Sequence, residues 1–274
     1  MIVLMACQAV LLSVAMALAW WYQKREHNAG WSDVFWTFAT GGAALMGAAW
    51  PLPEVAGHLS EVAGHSSRPL IVVALITLWT ARLGLYLRGR TLIRPEDARY
   101  AGFRREWGAD FQRRLFWFLQ IQAAAGLPLA VAMMLAARNP APGVSSADLL
   151  ALLISVAAIL GTALADRQLA RFAADPANRQ RVCDRGLWAW SRHPNYFFEW
   201  LGWFAWPLFA FNAHWPLGWL ACLAPMLMYW LLVHVSGIPP LERAMLASRG
   251  EAWRAYQSRT SAFFPLPPRH AAKA

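Results

Sequence analysis

Charged side chains are scarce in this sequence: they make up 15% of its 274 residues, against about a quarter in a soluble domain of that length. Too few remain to cover a water-facing exterior, so much of the surface must face something else. Cysteine is scarce as well. Cys7, Cys183 and Cys222 lie far apart and form no CxxC pair, which leaves neither a zinc motif nor a disulfide framework. No stretch carries the alternation of a strand and no GxGxxG follows one, so a Rossmann dinucleotide domain is excluded. HExxH and GxSxG are missing too, and nothing repeats at a fixed period. The apolar amino terminus has no basic stretch ahead of it. Lys24 and Arg25 come after it, the pattern of a first span rather than a signal peptide.

Long apolar runs are abundant. Hydrophobic residues reach 58%, with 17 Trp and 14 Phe, rings that settle at the headgroup level of a bilayer. A spanning helix needs about 20 mainly apolar residues. Windows of that kind run over 1–21, 32–52, 69–87, 115–137, 148–170, 195–213 and 215–236. The sequence therefore predicts an all-α, polytopic membrane protein of about seven transmembrane helices in a single membrane-embedded domain. The net charge of +10 reads as a topology signal rather than a nucleic-acid footprint. Of the 25 Lys and Arg, all but Arg68, Arg82 and Arg138 fall in alternate connections. The positive-inside rule then places the N-terminus outside and the C-terminus in the cytoplasm. Pro140 to Gly143 is expected to be an external turn, and Pro265 to Pro268 to end the last folded piece. His270 to Ala274 is expected to be disordered.

Ionisable groups within or beside a span are costly, so they carry partners or functions. At Ser32 and Asp33 the expected role is a helix cap. Arg82 lies deeper, with Tyr86 one turn later on the same face. The run Arg192-His193-Pro194-Asn195-Tyr196-Phe197-Phe198-Glu199 is the most informative. Pro194 suits a first helical turn, and Asn195 and Glu199 are four apart, sharing one face. A helix N-terminus flanked by Arg and His can receive an anion. The same spacing also fits an interfacial cap with a snorkelled carboxylate. Nearby, the fifth window ends in the unusually polar Asp166 to Phe172, which includes Arg171, and a loop with Arg179, Arg181 and Arg185 follows. In the tail, Glu242, Leu246, Arg249 and Trp253 have the spacing of one amphipathic helix on the membrane surface, joined by Arg243, Tyr256 and Arg259. Singly, these arginines fit anionic lipid. Together, with acids and aromatics interleaved, they fit a phosphorylated, ring-containing cofactor.

At these residues the chain resembles the steroid 5α-reductase superfamily of membrane enzymes, in particular a bacterial branch catalogued as a domain of unknown function. The matching pieces are Leu78 to Gly84, Glu96 to Tyr100, Arg105 to Gly108, Asp166 to Phe172, Arg192 to Glu199 and Glu242 to Pro265. The resemblance implies a seven-helix fold in the bacterial inner membrane with a cytoplasmic active face. It implies NADPH bound among the C-terminal helices and reduction of a carbon–carbon double bond in a lipid-like enone. Carried over by position, Asp166, Arg181, Asn195 and Glu199 become cofactor contacts, joined by Arg171, Arg192, His193, Arg243 and Tyr256. The animal enzymes polarise the substrate carbonyl with a tyrosine in the third span and a glutamate in the second. Here Trp79 stands at the tyrosine's place and no glutamate precedes Glu54. Arg82 and Tyr86 are the catalytic substitutes of suitable chemistry. Isoprenylcysteine carboxyl methyltransferases, which use S-adenosylmethionine, share an arginine-histidine-proline run and a similar tail. A lipid-binding membrane protein without catalysis is the third reading. No protein partner is implied.

Overall fold

The computed structural model describes residues 1–49, 67–93 and 95–269. Residues 50–52 of the second window, Glu54 and the tail from His270 lie outside them. Every regular element among the described residues is helical. The long ones are α1 (Ile2–Glu26), α2 (Trp31–Ala49), α3 (Arg68–Ile93), α5 (Phe111–Ala137) and α6 (Ser146–Ala174), with the short α4 (Ala98–Trp107) leading into α5. Then come α7 (Leu187–Trp190), α8 (Pro194–Gly202), α9 (Ala205–Ala210), α10 (Leu223–Trp230), α11 (Ile238–Arg249) and α12 (Glu251–Arg259).

Five helical stretches are long and apolar enough to cross a membrane: Ile2–Glu26, Arg68–Ile93, Ala98–Ala137, Ser146–Ala174 and Pro216–Arg249. The remaining two windows differ from a plain span. The second forms α2, only 19 residues long and enclosed by α1, α3 and α5. The sixth is divided into α8 and α9, with a turn at Trp203 and Phe204. The seventh changes character along its length. It opens as a 3₁₀ turn at Pro216–Cys222, continues as α10 and widens into a π-helical turn at Leu231–Val235. Leu70, Leu85, Ile121, Leu153 and Met226 all face outward. An apolar exterior on helices that satisfy their own backbone groups is what hydrocarbon demands. The chain is an integral membrane protein.

The chain forms two compact units, Met1–Leu152 with Ala205–Ala224, and Leu153–Phe204 with the residues from Pro225 on. In the first, α1, α2, α3 and α5 pack as a bundle with α2 at its centre. Its two ends are pinned by charge. At the end where α2 begins, the Asp33 carboxylate accepts from Arg99 at 2.5 Å and from the Tyr100 hydroxyl at 2.7 Å. Asp33 therefore does not serve as the expected cap. Arg99 Nε and Arg90 reach Asp97 at 2.9 and 3.1 Å, and Arg104 grips Glu96, which also accepts the Ala29 N–H. Burial pushes the Asp97 carboxyl up, but Arg99 and Arg90 outweigh it and hold it at about 2.

The opposite end holds a pair that hydropathy counting divided between a connection, at Arg68, and the start of the fifth window, at Asp148. Arg68 and Asp148 are only 1% and 3% exposed and meet through two parallel bonds of 2.7 and 2.8 Å. Arg68 also donates to the Ala141 carbonyl, and the Ser145 N–H and hydroxyl complete Asp148. Asn139 ties the same corner to the carbonyls of Phe209 and Phe211. The Pro140–Gly143 turn expected from sequence thus forms one wall of a neutralised ionic knot. Removing one partner leaves a buried charge unpaired, a cost of about 3–5 kcal/mol. Asp148→Ala is expected to lower the thermal midpoint in detergent sharply, and Arg68→Met with Asp148→Leu to recover a large part of the loss. An Asp148→Ala midpoint equal to the wild type would show that the pair carries no stability.

Candidate functional site

The second unit gathers all nine residues expected to contact a cofactor, and it treats them in three different ways. Its frame is the last two turns of α6. There Gln168 Oε1 accepts the Leu187 N–H at 3.0 Å, and Trp188 Nε1 donates to the Ala165 carbonyl at 3.0 Å. These bonds moor α7 and set the path of Ser191, Arg192 and His193 into α8. Pro194 opens α8 as the sequence predicts. One turn later along the bundle, Phe198 lies over Gly161 of α6, where a Cβ would stand 2.3 Å from the ring. Only a residue without a side chain permits that approach.

The close approach brings together the first group. Asn195 donates through Nδ2 to Asp166 Oδ1 at 3.2 Å, and its Oδ1 accepts the Tyr196 N–H. Asp166 is 5% exposed, an acid buried at the polar end of an otherwise apolar helix. Glu199 is half-buried one turn further along α8. Asp166 and Asn195, each expected only as a cofactor contact, are thus brought together by a direct hydrogen bond.

A second group is committed to holding the fold. The Arg192 fork donates to Glu242 at 2.7 Å, to the Thr260 carbonyl at 2.6 Å and to the Gln257 carbonyl at 3.2 Å. Glu242 also lies 3.1 Å from His193 Nε2 and accepts from Gln257 Nε2 at 2.8 Å. This clamp draws α11 and α12 against the start of α8. Tyr256 is buried and donates its hydroxyl to the Trp188 carbonyl, and burial pushes its phenol well above the ordinary value. Arg192, His193 and Tyr256 thus act on the site through the backbone they position. Glu242 and Gln257 were not among the expected site residues. The acidity of Glu242 amid arginines was a visible signal, whereas nothing in the sequence marked Gln257.

The third group lies at the rim. Arg171, Arg181 and Arg243 are exposed, and none makes an ion pair among the described residues. They are available to anionic groups from solution. The tail stripe is also rearranged. Gly250, at φ 53°, stops α11 and starts α12, so Glu242 and Trp253 belong to two helices, and Trp253 is buried. Arg82 and Tyr86, the expected catalytic residues, lie on α3 in the first unit, with the guanidinium 5.7 Å from the ring centroid. Among the described residues no cluster of metal-ligating side chains occurs.

A family model described as a protein of unknown function, DUF1295, matches residues 19–260. The chain belongs to the DUF1295 family. The matched range covers both units in part and every site residue named above. No curated protein and no solved structure matches it.

His193 offers a direct check on the clamp. Burial, stronger than the opposing Glu242 contact, holds its ring below the ordinary value, so the folded chain resists a proton that the unfolded chain accepts below about pH 6.5. Stability from this source is full above that pH and declines as the pH falls. Between pH 7 and 5 the thermal midpoint of the DUF1295 protein is expected to drop more steeply than that of His193→Gln. Parallel curves would remove His193 from the account.

Proposed function

We propose that this protein is an NADPH-dependent reductase of the steroid 5α-reductase type, transferring hydride to a carbon–carbon double bond of a hydrophobic enone lipid. The observation that carries the reading is the pair formed by the buried Asp166 and the half-buried Asn195 at the polar end of α6, with arginines that make no ion pair on the same unit's surface. A carboxylate and a carboxamide side by side suit the amide and hydroxyls of a nicotinamide riboside. Arginine forks suit its phosphates. Asp166, Asn195 and Glu199 would hold the ring end of the cofactor, and Arg171, Arg181 and Arg243 the phosphate end. The cofactor supplies the hydride; the chain binds and orients it. Arg82 and Tyr86 serve as donors to the substrate oxygen, where a preorganised donor stabilises developing negative charge. In the same reading the bundle has seven spans in a bacterial inner membrane, with its N-terminus outside. The arginine-rich ends and the cofactor site face the cytoplasm.

One observation favours a second reading. Arg192, expected from the resemblance to be a cofactor contact, is occupied by Glu242 and two carbonyls, which lowers the guanidinium supply. A cofactor without phosphates, S-adenosylmethionine, then fits the same pair, and the activity becomes methyl transfer.

Titration of the purified protein with NADPH, read as energy transfer from tryptophan to the nicotinamide, is expected to saturate. Asn195→Leu should weaken binding roughly tenfold, the worth of a lost hydrogen bond in a dry site. Arg181→Gln should weaken it and flatten its salt dependence. Tyr86→Phe should slow NADPH oxidation by an enone lipid while leaving binding unchanged. Thermal stabilisation by S-adenosylmethionine and none by NADPH would establish the methyltransferase instead. Saturable NADPH that no enone oxidises would establish a protein that binds without reducing.

A further inference from the structure

Away from that site, the first unit carries a cleft where α4 turns into α5, with a volume of about 510 Å³. It is lined by Trp107, Arg113, Arg114, Trp117, Phe118 and Ile121. Its floor is rigid. Phe103 and Trp107 stack in parallel at 4.6 Å, and Phe118 meets Phe103 edge-on at 5.3 Å. The Phe111 ring, 6.2 Å from that of Trp107, carries the Arg104 guanidinium at 4.1 Å, which extends the aromatic layer.

The chemistry changes along the cleft. Arg113 and Arg114 stand on the first turn of α5, both exposed. Among the described residues Arg113 pairs with the neighbouring Asp110, at 3.1 Å on the exposed surface, a contact that competes weakly with another anion. Arg114 makes no ion pair among the described residues. Trp117 and Ile121 follow one and two turns on, 63% and 67% exposed. From Arg114 to Ile121 the helix advances about 10 Å, at 1.5 Å per residue. Cation, indole and aliphatic side chain in that order, over that distance, reproduce the passage from headgroup through glycerol to acyl chain. The segment belongs to a stretch long and apolar enough to cross a membrane, which places the cleft at its polar boundary.

We propose that this cleft is a site for one anionic phospholipid, its phosphate against Arg113 and Arg114 and an acyl chain along Trp117 and Ile121. The occupant is a lipid rather than a soluble anion because the lining beyond the two arginines is apolar. It is an anionic lipid because two cations and no acid are among its lining residues, and the nearby Asp110 is half exposed and already shared with Arg113. The assignment is independent of the proposed reductase activity.

Native mass spectrometry of the full-length protein, exchanged into detergent with phosphatidylglycerol or phosphatidylcholine, tests it. The wild type should retain one phosphatidylglycerol over phosphatidylcholine by roughly tenfold or more, as two interfacial arginines allow. Arg113→Gln with Arg114→Gln should bring retention down to the phosphatidylcholine level, and Trp117→Ala should weaken both lipids. Arg254→Gln, an exposed arginine in the second unit paired with Glu251, should change nothing. All these substitutions are on the surface, so circular dichroism and elution volume should stay those of the wild type. Equal retention of the two lipids by the wild type would overturn the site. So would a loss of retention in Arg254→Gln matching that in the double variant. A dimer that Ile121→Arg dissociates, with phosphatidylglycerol still held, would show that a second copy rather than a lipid covers this face.

Discussion

Hydrocarbon offers a buried polar group nothing to bond with, and this constraint organises the protein from end to end. Each charge brought inside the first unit arrives with its partners. Arg68 and Asp148 neutralise each other through two bonds and spend the remaining valences on carbonyls and on Ser145. Asp33 does the same with Arg99 and Tyr100. Between these two ends apolar and small side chains predominate, with a few buried polar ones such as Gln8, which donates to the Ala43 carbonyl, and Thr80. The result is a bundle fastened at its rims, where the polar chemistry is concentrated. The second unit applies the same rule with Arg192 and Glu242, and there the fastening lies next to the candidate site.

That proximity divides the arginines by task. A guanidinium holds its charge at any accessible pH and presents a planar fork, so it can join several acceptors into one rigid object. Arg192 uses its fork in this way and so fixes where α8 begins. Arg171, Arg181 and Arg243 have the same chemistry but face outward. Sequence alone weights these four alike, because type and spacing do not say which guanidinium is already occupied. The distinction matters for mutagenesis: losing Arg192 would damage a scaffold, whereas losing Arg181 would remove a potential ligand contact.

Much of the fold was legible because hydropathy acts through length. The windows at 69–87, 115–137 and 148–170 each lie inside a single long helix, and their edges extend by a few residues where the helix leaves the apolar zone. The sixth window failed as a single helix because its hydropathy does not register the turn at Trp203 and Phe204. Asp166 and Asn195 could each be singled out in advance, since each is a polar residue at an end of an apolar run, but their hydrogen bond came only with the structure. The Arg68–Asp148 knot and the Gln257 contact could not be foreseen. Their partners are brought together by the path of the chain, across 80 and 15 residues respectively. The tail stripe misled for a local reason: three-and-four spacing continues through Gly250 on paper, but a positive φ there turns the axis.

The clamp also fixes a chronology. Arg192 takes its acceptors from Gln257 and Thr260, and the strand-like stretch beyond them is tied back by the Leu266 N–H on the Trp190 carbonyl. Chains grow from the amino terminus, and early portions settle first. A nascent chain can therefore insert α1 to α6 before the Arg192 clamp can form, since the acceptors that seat Arg192 have yet to be translated. The clamp closes last, in a protein already lodged in its membrane.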